Sequence, residues 1–89
     1  MKLEEARKII NDEDLCHINW YNEKNLRENQ VGIRLDNGEW IIYVTDERAN
    51  IVRGSIIKFN SQEEALDILI RKARYFKKIF DRKNFQEMS

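Results

Sequence analysis

Proline is missing from these 89 residues, and only three glycines and one cysteine are present. The single cysteine, Cys16, excludes an internal disulfide framework and fits a reducing compartment. The glycines, Gly32, Gly38 and Gly54, are scattered, so no glycine-rich phosphate loop exists. Net charge is missing too: 16 basic side chains balance 16 acidic ones. That balance argues against a general binder of nucleic acid or membrane surface, which ordinarily carries a basic excess. No apolar run approaches the roughly 18 residues a membrane span needs. Met1 to Glu5 lacks the apolar core of a signal peptide. The expectation is one cytoplasmic domain.

What is present suits a small packed protein. Apolar residues make up 42% of the chain against 36% charged, too apolar for a disordered segment. There are no internal repeats, linkers or low-complexity stretches. Basic residues drift toward the C-terminus, and helix-dipole matching accounts for a drift of that size.

Along the chain, Leu3, Ala6, Ile9 and Ile10 recur at helical spacing, with Glu4 and Glu5 in the first turn. They predict a short helix over 2–11. Asn11 to Asp14 ends it unless Leu15 extends it a further turn. Ile18 and Trp20 alternate with polar neighbours and predict a strand within 17–23. Residues 22–30 read as a loop, with a helix over 23–29 as the rival.

Val31, Ile33 and Leu35 alternate with Gly32, Arg34 and Asp36. Trp40, Ile42 and Val44 alternate with Glu39, Ile41 and Tyr43. Between the runs sits Asn37-Gly38, the strongest short hairpin signal. With these two as the loop, Leu35 faces Trp40, Ile33 faces Ile42 and Val31 faces Val44. The large apolar residues then share one face, and a one-residue slip would scatter them. The other face carries Arg34, Ile41, Tyr43 and Thr45. It is either an ordinary strand face with the Tyr43 hydroxyl reaching water, or a contact surface, because Tyr and Arg flanked by aliphatics are typical anchors.

Residues 51–59 predict another strand, in which Gly54 hints at a bulge. Ser61, with Glu64 three residues on, forms a capping box that opens a long helix to about Asp81. Its apolar positions cover about 220°, more than one packing face needs. A second contact is implied, either the N-terminal helix or another copy of the chain. Residues 82–89 read as a frayed tail. The expected fold is α+β: a three- or four-stranded antiparallel meander with N-terminal and C-terminal helices packed on one face.

Catalytic chemistry is hard to assemble. Cys16 and His17 are neighbours, and strand neighbours point to opposite faces; a buried cysteine and a partly exposed histidine are the plain reading. Zinc-type ligands are too few, and no acid/base pair can be picked out among the carboxylates. The expectation is a protein that is not an enzyme and needs no cofactor. The α-β-β-β-α order is that of double-stranded-RNA-binding domains, and residues 71–78 are basic with interleaved aromatics. Those domains place their basic cluster at the start of the last helix. Here that start is Gln62-Glu63-Glu64, so nucleic acid is a weak reading.

The run from Asp36 through Trp40 to Tyr43-Val44-Thr45-Asp46-Glu47-Arg48 is followed by Gly54-Ser55, Phe59-Asn60-Ser61 and Glu63-Glu64-Ala65-Leu66. This pattern resembles the small immunity proteins of bacterial polymorphic toxin systems, specifically the family catalogued as immunity protein 59. The likeness spans about residues 30–76 and is most specific at Tyr43 to Arg48. It implies a cytoplasmic antidote that binds a cognate toxin domain until the toxin is exported. The candidate contacts are Asp46, Glu47 and Arg48 with Arg34, Ile41 and Tyr43. A bland alternative stands beside them, in which Asp46 bonds nearby backbone to close a turn and Arg48 braces a carboxylate. A homodimer through the last helix is the other partner expected.

Overall fold

The structure, a computed structural model, describes residues 1–88, with side chains described through Phe80. Helix α1 spans Leu3–Asp12. Strands β1, β2, β3 and β4 span Ile18–Trp20, Val31–Asp36, Glu39–Val44 and Ile57–Phe59. Helix α2 spans Gln62–Met88. The tail expected at 82–89 falls on residues whose side chains lie outside the described part.

The hairpin pairs as its apolar alternation requires. Val31 faces Val44, Ile33 faces Ile42, Leu35 faces Trp40 and Asp36 faces Glu39. Asn37 and Gly38 both take positive φ, 52° and 80°, as a two-residue hairpin turn demands. Val31, Ile33 and Ile42 are fully buried under Leu66, Leu69, Ile70 and Ala73 of α2. Ala6 and Leu15 join the same cluster, so both helices pack on one face of the sheet.

One expected feature of the sheet is corrected. It is a mixed sheet of order β1-β2-β3-β4, because β1 runs parallel to β2, with Ile18 facing Val31 and Trp20 facing Ile33. A parallel neighbour cannot follow from a tight turn; it needs a crossover connection. Residues 21–30 supply it, with a single 3-10 turn at Glu23–Asn25 where a longer helix was the rival reading.

The expected strand over 51–59 is also corrected. Ile51 makes an isolated bridge to Thr45, a 3-10 turn occupies Arg53–Ser55, and pairing resumes only where Ile57 faces Ile42. Residues 52–56 thus stand opposite 43–44 alone. Side-chain chemistry makes the break cheap: the Val44 N–H donates to Ser55 Oγ at 3.0 Å, and Val52 N–H donates to the Val44 carbonyl at 2.9 Å. The β3 groups that a regular strand would pair are satisfied across the break.

Helix α1 ends in a Schellman-type turn. Asp14 takes φ 52°, Leu15 N–H donates to the Ile10 carbonyl at 3.0 Å, and Asp14 N–H donates to that of Asn11 at 3.3 Å. Leu15 leaves the helix and enters the core, at 4% exposure. Beyond it, Arg74 grips both Glu13 carboxylate oxygens at 2.9 and 2.6 Å, and Lys77 donates to the Glu13 carbonyl. The end of α1 is thereby fastened to the middle of α2. At the start of α2, the Glu64 N–H donates to Ser61 Oγ at 3.2 Å, the capping bond expected of Ser61.

Candidate functional site

The second face of the sheet was one candidate contact surface, and the structure fills it from within. Asn19 lies on β1 and is 4% exposed. Its amide nitrogen donates to the carbonyls of Asn22 and Asn25 at 2.9 and 3.3 Å, and its Oδ1 accepts the Asn22 N–H at 3.0 Å. Asn19 therefore ties the 21–30 connection down onto the sheet. Gln30 and Thr45 complete the network. Gln30 Oε1 accepts the Arg27 N–H at 3.0 Å, and Thr45 Oγ1 accepts the Gln30 N–H at 2.8 Å while donating to the Arg27 carbonyl at 2.7 Å. A polar network this fully partnered closes a face against water.

Tyr43 sits inside this cover at 1% exposure, with its hydroxyl donating to Asn19 Oδ1 at 3.3 Å. Burial, followed by the nearby Glu23 carboxylate, pushes the phenol above its ordinary value, against the smaller opposing pull of Arg34. Arg34 lies 5.9 Å from the centre of the Tyr43 ring and pairs with Glu23 at 2.8 Å. Ile41 is 3% exposed. Three of the six candidate contacts are therefore accounted for internally. Ile41 and Tyr43 belong to a second small core, and Arg34 braces the loop that covers it. The sequence signal for this is Gly32, which stands opposite Tyr43 and leaves room for its ring.

Asp46, Glu47 and Arg48 form a turn at the open end of β3. Asp46 Oδ1 accepts the backbone N–H of both Arg48 and Asn50 at 2.9 Å. Those two bonds, that of Asn50 first, hold its carboxyl below the ordinary aspartate range. The plain reading of Asp46 as a turn-former is what the geometry shows. The consequence is a fixed loop from which Glu47 and Arg48 project into solvent. The same connection carries Val52 and Ile56, 40% and 37% exposed. Sequence reasoning missed these two because a regular strand over 51–59 would have sent one face inward.

Other sites carry less chemistry. A shallow groove of about 530 Å³ runs between α1 and β1, lined by Arg7, Ile10, Leu15, Cys16, Ile18 and Trp20 among others. Arg7 stands 5.9 Å from the Trp20 ring centre. Cys16 is exposed, which corrects the expectation of a buried thiol. The His17 ring packs on Phe80 at 5.4 Å instead of turning to Cys16. Among the described residues, no cluster of three or more His, Cys, Asp or Glu is arranged to hold a metal ion. No described helix is long and apolar enough to cross a membrane. No protein-family model, curated protein or solved structure matches this chain.

Proposed function

We propose that this protein is a cytoplasmic antidote that captures and neutralises the toxin domain encoded beside it, acting by binding alone. One observation carries the reading: the connection 46–56 presents Glu47, Arg48, Val52 and Ile56 outward from a backbone held by Asp46 and Ser55. A pre-ordered loop loses little conformational freedom on binding, so more of its contact energy appears as affinity. Charges of both signs beside aliphatics suit selective recognition of one protein surface, with wrong partners rejected by unpaired charge. The likeness of residues 30–76 to immunity proteins supports the same reading, and neither a cofactor nor a catalytic group is called on.

The test is co-expression with the C-terminal domain of a toxin encoded immediately upstream. Survival of the cells is expected, together with a stable complex on gel filtration. Continued killing by the toxin in the presence of folded protein overturns the proposal. The double variant Glu47→Arg/Arg48→Glu should weaken the complex about tenfold or more, the cost of reversing two loop charges in a matched interface.

A further inference from the structure

The long helix has one flank covered and one open. Arg74 and Lys77 face α1, and Asp67 meets the N-terminal amino group at 3.1 Å. Leu66, Leu69 and Ala73 face the sheet. At about 100° per residue, Ile68, Lys72, Tyr75 and Ile79 fall in one narrow strip on the flank away from α1. Tyr75 is 61% and Ile79 39% exposed. Below this flank lies the outer edge of β4. Ile57 faces Ile42, which faces Ile33, so Ile57 continues the core face of the sheet to its open edge, where it is 40% exposed. Helix α1 covers the corresponding region on the other side, and no described element covers this one.

The charge of the flank selects its occupant. From Arg71 to Phe80 the helix holds five cations and no acid. Arg74 and Lys77 are engaged by Glu13. Lys72 lies in the strip, and Arg71 and Lys78 stand beside it on the solvent side. None of the three makes an ion pair among the described residues, and the acid in line with the strip is Glu64, one turn before Ile68. A second copy docked antiparallel about Lys72 would bring the two Lys72 ammonium groups together at the middle of the seam, with repulsion in place of pairing there. Nucleic acid would meet the cations but leave Ile57, Tyr75 and Ile79 without an apolar partner.

We propose that this flank is a docking surface for a negatively charged amphipathic helix of a partner protein. The helix lies along α2 above the β4 edge. Its apolar face covers Ile57, Tyr75 and Ile79, and its carboxylates reach Arg71, Lys72 and Lys78. This is helix-in-groove recognition with the groove formed by a helix and a strand edge. The inference stands on the chemistry of the flank and is independent of the antidote reading.

The probe is a synthetic helical peptide of about 18 residues, long enough to hold helix in water, with leucine on one face and glutamate on its borders. It is titrated into isotopically labelled full-length protein and followed by amide chemical shifts. Saturable shifts confined to residues 57–59 and 68–79 are expected. A peptide with lysine for glutamate should not bind. The variant Arg71→Glu/Lys72→Glu/Lys78→Glu, checked for native circular dichroism, should bind at least about tenfold more weakly. Tyr75→Ala/Ile79→Ser, which leaves the charges in place, should weaken binding as well. Equal binding of the lysine peptide, shifts centred elsewhere, or no saturable shift at millimolar peptide overturns the proposal. Tighter occupation of the same residues by duplex RNA, or sedimentation as a dimer that buries this flank, overturns it too.

Discussion

Tyr43 lies across Gly32 on the neighbouring strand so closely that a β-carbon there would stand 2.1 Å from Cζ and 2.4 Å from the hydroxyl oxygen. The ring has little freedom to yield. Its hydroxyl is held by Asn19, and Arg34 stands over its face. Gly32 is needed for space, not for its own backbone angles. Gly32→Ala should therefore destabilise the protein by about 1–3 kcal/mol or more, the range for overpacking a filled site, read from urea unfolding at constant slope. In a Tyr43→Ala background the same substitution should cost well under 1 kcal/mol, because residues that share one space are not additive. Equal cost in both backgrounds would mean that ring and glycine do not compete.

Ala49 occupies the left-handed region at φ 64°, in the turn closed by Asp46. An alanine pays steric strain there that glycine avoids, while glycine brings extra freedom to the unfolded chain. The first effect is the larger, so Ala49→Gly should stabilise the protein by about 0.5–1 kcal/mol. Asp46→Asn keeps an oxygen acceptor for Arg48 and Asn50 and should leave the turn intact, whereas Asp46→Ala removes it. Hydrogen exchange separates the two: the Arg48 and Asn50 amides should exchange faster only in the alanine variant.

The hairpin was legible because two independent signals, Asn37-Gly38 and the apolar alternation, demand one register. Nothing comparable constrained the outer strands. The parallel placement of β1 depends on Asn19 and Gln30, polar residues whose pairing with loop backbone carbonyl and N–H groups leaves no periodic trace. The break at Arg53–Ser55 depends on a serine hydroxyl standing in for backbone, which composition does not reveal. The same causes governed the candidate site. Asp46, Glu47 and Arg48 were visible as a local turn, but whether Ile41 and Tyr43 met solvent depended on a loop folding over them from far away in the chain.

Sharing a face did not guarantee burial. Leu35 lies on the core side beside Ile33, yet it is 54% exposed while Ile33 is fully buried. It sits beside the hairpin turn, beyond the cover of α2. Leu35→Thr should therefore change stability by no more than about 0.5 kcal/mol, as at an ordinary surface position. Ile33→Ala should cost about 2–5 kcal/mol through lost burial and the cavity left behind. Urea midpoints of the two variants give the comparison, and similar losses at both positions would place the hairpin end inside the core.

The contact that fastens α1 to α2 should leave a signature in acid. Hydrogen bonding to the Arg74 guanidinium, reinforced by its charge and that of Lys77, holds the Glu13 carboxyl below its ordinary value. A carboxyl depressed in the folded state binds its proton more readily in the unfolded chain. Its stabilising effect is therefore fully present above the ordinary glutamate range, about pH 4.3, and disappears as pH falls through the lower folded value. Glu13→Gln removes this effect without removing the side chain. The wild-type protein should resist urea better than the variant at pH 7, and the difference should shrink below about pH 4.3 and vanish as pH falls through the lower folded value. Because both partners are open to solvent, the gap at pH 7 should also narrow in high salt, where exposed pairs are screened. No gap at pH 7 would assign the role of Glu13 to its backbone carbonyl, which accepts from Lys77 and is kept in the variant, and not to its carboxylate.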